Sequence, residues 1–223
     1  MPTSGEYPQG LAEHSQKRQP HAASTTLGDS PGSATQVRND LFDPRMELDR
    51  GRPKLVEAIW YLLKCVFFLS PWPWPSSFKC ALLRTFGASV GRSVRIKPRV
   101  NIHFPWKLAI GDHSWIGEEV FILNFEPVTI GTQCCISQRA FLCTGSHDYR
   151  QANMPYRNQP IAIADGAWIG AQSFVAAGVT IGVDTVIAAG SVVTRSQPAQ
   201  MVCSGNPCTP VRTRWRCGAG SEA

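Results

Sequence analysis

The sharpest chemical signal in these 223 residues is a histidine in a short polar segment, Cys143-Thr144-Gly145-Ser146-His147-Asp148-Tyr149. Imidazole titrates near neutrality, so a histidine held at a surface can take the proton of an attacking hydroxyl and pass it to a departing group. A solvated histidine at a turn is the plainer alternative, and the elements around it must decide between the two. Asp148 is placed to orient the ring, a part that a backbone carbonyl fills equally well. Two other histidines fall in the body of the chain. His113 ends Ile110-Gly111-Asp112-His113 and reads as a solvated corner residue, whereas His103, before Phe104-Pro105-Trp106, could line an acceptor pocket. A zinc site would need a closely spaced histidine pair beside His147, and none stands there, so no metal is expected. The eight cysteines form no CxxC pair and read as reduced thiols. None reads as a covalent nucleophile.

The elements that must position His147 follow a period of six. Large aliphatic residues recur in phase at Val90, Ile96, Ile102, Ile110, Ile116, Ile122, Ile130, Ile136, Leu142, Ile163, Ile169, Val175, Ile181, Ile187 and Val193. Four residues later a smaller side chain tends to follow, as at Val94, Ser114, Cys134, Ala167 and Thr185. Three such hexads make one turn of a triangular parallel coil, with the aliphatic residues stacked along its axis. The predicted fold class is therefore mainly β, a left-handed parallel β-helix over residues 90–212. Glycines next to the aliphatic positions, as in Ile110-Gly111 and Ile169-Gly170, are read as letting the chain bend at corners. Two slips of two residues, at Trp106 to Ala109 and at Phe125 to Thr129, read as corner bulges. The wider break between Leu142 and Ile163 reads as an extruded loop, residues 148–162, starting beside His147.

Ahead of the repeats, residues 1–40 are rich in Ser, Thr, Gly, Gln and Pro and read as a disordered tail. Residues 41–89 form a helical, aromatic segment. Leu55, Ile59, Leu62, Leu63, Val66 and Phe67 recur at helical spacing, and Ser70-Pro71-Trp72-Pro73-Trp74-Pro75 stops that helix. A second, short helix from Ser76 to Phe86 would present Phe78, Leu82, Leu83 and Phe86 to the mouth of the repeat domain. Residues 213–223 read as a C-terminal tail. Net charge +6 would permit contact with nucleic acid or an anionic membrane, but the basic residues are scattered, clustered only at Arg92/Arg95/Lys97/Arg99 and Arg212/Arg214/Arg216, and a polyphosphate ligand fits them equally well; no nucleic-acid partner is expected. No basic leader precedes an apolar run, and the stretch Leu55 to Leu69 is too short and too charged to span a bilayer, so a cytoplasmic location is expected. Peripheral contact with the inner face of a membrane stays open.

The repeats and the stretch from Ala109 to Arg212 resemble the hexapeptide-repeat acyltransferases, specifically the maltose and galactoside O-acetyltransferases. The likeness to the colanic acid biosynthesis acetyltransferases runs further, back to about Phe42 through Leu82-Leu83-Arg84-Thr85-Phe86-Gly87-Ala88, and covers about three quarters of the chain. The resemblance implies direct transfer from acetyl-CoA, the co-substrate, to a sugar hydroxyl in exopolysaccharide synthesis, with His147 as general base. It implies an acceptor side made of Asn124, Glu126 and Asp148, the last beside the base. On the donor side it implies Trp168 beside the pantetheine, backbone groups of Ala171, Ala189 and Gly190 along that arm, and Thr194, Arg195 and Arg212 at the adenosine phosphates. The pattern departs at Thr209 and Pro210, where related sequences commonly place a basic residue. A small-molecule or lipid-linked sugar acceptor and a homotrimer with sites between neighbours are also implied. Two rivals remain at this point: transfer to an amine, as on an aminosugar or antibiotic, and a repeat scaffold without catalysis.

Overall fold

The computed structural model describes residues 36–43 and 48–215. Most of the expected N-terminal tail, residues 1–35, and residues 216–223 lie outside the described residues. The inner end of that tail is placed: Asn39–Leu41 forms a 3-10 turn, and the Arg38 N–H donates to the Ala152 carbonyl at 2.8 Å.

The repeats wind a left-handed parallel β-helix with three flat faces. Face one stacks Ser89–Val90, Leu108–Ile110, Val128–Ile130, Ile161–Ile163 and Thr180–Ile181. Face two stacks Arg95–Ile96, Trp115–Ile116, Cys135–Ile136, Trp168–Ile169 and Val186–Ile187, then Met201–Gly205 in parallel and Cys208–Thr213 antiparallel. Face three stacks Asn101–Ile102, Phe121–Leu123, Phe141–Cys143, Phe174–Val175 and Val192–Val193. All fifteen in-phase aliphatic residues are buried, and like sits on like, as in Ile96, Ile116, Ile136, Ile169 and Ile187. The small inward residues are buried too. Where they are polar they are satisfied, Ser114 Oγ donating to the Gly131 carbonyl at 2.7 Å and Ser173 Oγ to that of Ala188 at 3.0 Å.

The glycines beside the aliphatic positions do a different job from the one expected. A Cβ on Gly111 would lie 2.6 Å from backbone atoms of Gly131 and Thr132, and one on Gly170 would lie 2.5 Å from the Ala189 nitrogen. They are there because successive coils approach too closely for a side chain. The bend itself falls two residues later, where Ser93, Arg99, His113, Glu119, Gln133, Arg139 and Gln172 take φ of 55 to 60°. Polar L-residues accept this left-handed conformation at solvent-facing corners at modest cost.

The departures from a six-residue period all occur at one edge, between faces three and one. The first is the 3-10 turn Pro105–Lys107, the second the bend after Asn124, and the third the long connection between Phe141–Cys143 and Ile161–Ile163. The strand resumes at Ile161, so the last two residues of the expected loop belong to face one.

Helices α1 (Lys54–Phe67) and α2 (Ser76–Thr85) cover the open edge of the first coil. Their side chains bond backbone groups that a preceding coil would otherwise have paired. Trp60 Nε1 donates to the His103 carbonyl at 3.0 Å, Lys79 Nζ to Lys97 at 2.9 Å, and Arg84 to Val90 and Gly91 at 2.9 and 2.8 Å. This accounts for a fully buried Lys79. Of the residues expected on the inner face of α2, Leu83 is fully buried and Leu82 and Phe86 pack against the core, but Phe78 is 40% exposed. The expected apolar face of α1 is split. Phe67 packs against the core and Leu63 is half-buried, alongside the buried Trp60 and Lys64, whereas Leu55, Ile59, Leu62 and Val66 are exposed. No helix among the described residues is long and apolar enough to cross a membrane.

Candidate active site

The irregular edge is where the chemistry collects. Asn124 is fully buried: its Oδ1 accepts from the Phe104 N–H at 2.9 Å and its Nδ2 donates to the Phe104 carbonyl at 2.6 Å. Both ends of the amide are spent on tying two coils together, so the acceptor role expected for Asn124 gives way to a structural one. One coil on, the buried Thr144 hydroxyl donates to the Leu123 carbonyl at 2.9 Å and accepts from the Glu126 N–H at 3.1 Å. Gly145 sits close to the wall, since a Cβ there would lie 3.1 Å from the Phe125 ring and press that ring outward.

From Thr144 the chain leaves the helix as a narrow antiparallel pair of arms. Gln159 N–H donates to Thr144, Arg157 N–H to Ser146 and Asp148 N–H to Pro155, at 3.1, 2.8 and 2.9 Å. His147 sits on the outgoing arm opposite Tyr156 and is exposed. Its Nδ1 lies 2.6 Å from the Met154 carbonyl oxygen. A carbonyl only accepts, so Nδ1 carries the hydrogen and the neutral ring keeps its lone pair on Nε2. Met154 itself takes φ of 42°, an uncommon conformation for a side-chain-bearing residue, in the turn that presents this oxygen. Asp148 does not orient the ring. Its carboxylate accepts from the Arg150 N–H and from Gln151 Nε2, both at 3.1 Å, and closes the turn.

Aromatic rings wall the histidine. Phe42 meets the His147 ring edge-on at 5.3 Å and Tyr156 at 5.1 Å, and Tyr156 lies 4.8 Å from His147. The run continues through Phe125 to His103, centroids 5.9 and 5.1 Å apart. His103 is held far below its ordinary range, down to about 4, chiefly by burial, with the Lys64 charge next. Beside the run, burial pushes the half-buried Glu126 carboxyl upward, and the Lys107 ammonium opposes that shift. Lys107 Nζ is itself held by the Asp49 and Phe125 carbonyls at 2.5 and 2.6 Å. Cys143 is buried, its thiol donates to Gly145, and burial raises its pKa, so it is no nucleophile. Phe42, Phe125, Met154 and Tyr156 were not among the residues singled out from the sequence. Only the aromatic type of three of them hinted at a ring-binding wall.

The predicted donor residues divide between two edges. Trp168 is about half exposed on face two, and its Nε1 donates to Ser137 Oγ at 2.8 Å. Ala171, Ala189 and Gly190 follow it on the edge between faces two and three, where the Gly190 N–H donates to the Ala171 carbonyl at 2.8 Å. Nothing stands within 4 Å of where a Gly190 Cβ would be, so this edge is open. Thr194 and Arg195 are exposed on the far side of face three, on the edge that also carries His147. Arg212 lies on the outermost strand of face two, exposed. Face three, which separates the two edges, carries an outward aromatic ladder: Phe121 stacks on Phe141 at 4.8 Å, and Phe141 meets Phe174 at 5.4 Å.

Residues 160–195 match a family model described as the hexapeptide repeat of succinyl-transferase. Across 165 residues the chain is 39% identical to the Escherichia coli K12 protein named colanic acid biosynthesis acetyltransferase WcaF, covering 74% of this chain and 91% of that one. The chain belongs to the hexapeptide-repeat acetyltransferases. The galactoside O-acetyltransferase of the same organism is 30% identical over 135 residues, 59% of this chain and 66% of that one. Among solved structures, the hexapeptide-repeat acetyltransferase VCA0836 of Vibrio cholerae, in complex with acetyl coenzyme A, superposes with a TM-score of 0.66. It is 29% identical and covers 73% of this chain and 89% of its own. A galactoside acetyltransferase in complex with coenzyme A superposes at 0.65 with 27% identity, over 72% of this chain and 82% of its own.

Proposed function

We propose that the protein transfers an acetyl group from acetyl-CoA directly to a sugar hydroxyl, with His147 as the general base. The observation that carries this reading is the 2.6 Å contact between His147 Nδ1 and the Met154 carbonyl. It fixes the tautomer whose free Nε2 can take the hydroxyl proton as the oxygen attacks the thioester carbonyl. The same proton then goes to the departing CoA sulfur, so the base is regenerated in each cycle. Phe42 and Tyr156 offer apolar ring faces for a pyranose, and the half-buried Glu126, on the same edge, offers a carboxyl for its hydroxyls. Asp148 serves the turn. A family whose relatives are named for colanic acid and galactoside acetylation supports a polysaccharide precursor as acceptor.

The donor reading follows from the open edge. Trp168 would flank the pantetheine, Ala171, Ala189 and Gly190 would let it approach the backbone, and Arg212 would meet the phosphates, with Thr194 and Arg195, on the His147 edge, reaching them from a neighbouring copy. Because the base and the Trp168 edge lie on opposite sides of face three, one chain does not place them around a single cleft. A homotrimer, in which the His147 edge of one copy faces the Trp168 edge of the next, would bring them together and cover the phenylalanine ladder.

His147→Ala tests the mechanism. Turnover should fall at least about a hundredfold, the usual contribution of a general base. The rise in melting temperature with CoA should be retained. Acetylation at near-normal rates by this variant would overturn the assignment. Matched hydroxyl and amino acceptors then separate ester from amide formation.

A further inference from the structure

Helix α1 is apolar on two sides: Trp60 and Phe67 pack on the core, and a second apolar stripe faces away from it. Leu55, Ile59, Leu62 and Val66 succeed one another at spacings of four, three and four, which places them on one stripe, and they are 72, 45, 65 and 47% exposed. The opposite side also carries charges: Lys64 is 5% exposed and Glu57 is ion-paired with Arg50 at 2.5 Å. Trp72, 67% exposed in the segment that follows the helix, adds a large aromatic side chain to the exposed apolar surface of this region. An array of this length on a water-facing helix marks a surface that something else covers.

The charges around the stripe choose between occupants. Of the six basic residues from Arg50 to Phe86, Arg50 is paired with Glu57, Lys64 and Lys79 are buried, and Arg84 is bonded to the Val90 and Gly91 carbonyls, so the cations that bear on the stripe are Arg52 and Lys54. Arg52 and Lys54 are exposed at the start of α1. A second copy docking on the same stripe would bring its own cations to the same place. An anionic bilayer surface instead meets both properties, the aliphatic stripe and Trp72 entering the headgroup boundary while the cations stay with the phosphates. We propose that the outer face of α1, with Trp72, is a docking surface for an anionic lipid bilayer. Through Trp60 the inner face of this helix is bonded to the coil that carries His103, so docking would hold the acceptor side of the site next to the membrane.

The test uses the full chain and vesicles of pure phosphatidylcholine or of phosphatidylcholine with phosphatidylglycerol. The protein should sediment with the anionic vesicles, and less so as salt rises. Leu62→Glu and Ile59→Glu should each lower the bound fraction at least about tenfold while keeping the CoA-induced rise in melting temperature. Brominated lipid should quench the fluorescence of the unmutated chain, and Trp72→Phe should remove much of that quenching, a readout that needs no destabilising change. Failure to sediment with either vesicle would overturn the proposal. So would a drop in mass by light scattering for Leu62→Glu with vesicle binding intact, which would make the stripe a subunit contact. Because binding is read without turnover, a failed acetylation assay leaves this result independent.

Discussion

Phe104, Phe125, Tyr156 and Phe42 connect His103 to His147 ring by ring, yet the two histidines are set up for different work. His147 is exposed and tied at Nδ1, which leaves a usable lone pair. His103 is half-buried, and burial first, then Lys64, hold it neutral down to about pH 4, with Glu57 pulling the other way and Arg50 adding to the depression. The linkage has a definite sign. Between the ordinary histidine value near 6.5 and about 4, the unfolded chain binds a proton at this residue and the folded one does not. Stability is therefore lost as pH falls through that window, by at most about 3 kcal/mol for a shift of this size, and the loss levels off below it. His103→Gln should flatten this part of the curve. Urea unfolding of both proteins at pH 7, 5.5 and 4.5 checks it, and parallel curves would count against a neutral His103.

At the scale of elements, the period of six was enough to place nearly every strand, because a closed triangular coil leaves each hexad only one large and one small residue that can point inward. The sequence pattern was silent on what points outward. Phe121, Phe141 and Phe174 align only once the twenty-residue and longer coil repeats are known, since their stacking depends on the residues inserted at the irregular edge. Phe42 was invisible as a wall of the site for a related reason: it reaches His147 from over a hundred positions away, with no periodicity to announce it. The helix α1 was legible as amphipathic, but which side faces in is settled by the first coil's unpaired carbonyls, which recruit Trp60. Glycine shows the same limit, for its type was read correctly and its reason was not. If Gly111 serves coil-to-coil clearance, Gly111→Ala should cost about 1–3 kcal/mol through overpacking. His113→Gly, at a φ of 60°, should be near neutral or mildly stabilising. Denaturation midpoints of the two variants decide it, and the reverse order would return the bending role to Gly111.

For the whole molecule, the proposed partition of the site across face three would make assembly part of the chemistry. His147 and Trp168 lie on different edges of one prism, so the base and the donor groove of a working site would come from neighbouring copies. Mixing two inactive variants tests this directly. Ala189→Trp fills the donor edge at an exposed position, where folding should survive, and His147→Ala removes the base. Each variant alone should be nearly inactive. In trimers reassembled from an equal mixture, a site works only when the copy giving its histidine carries Ala189→Trp and the copy giving its donor edge carries His147→Ala. Random assembly satisfies both conditions at about a quarter of sites, so roughly a quarter of the unmutated activity should return. If histidine and donor edge of the same chain made the site, every chain in the mixture would carry one lesion and nothing would return. The recovered fraction therefore measures which chains meet around the acceptor, independently of what that acceptor is.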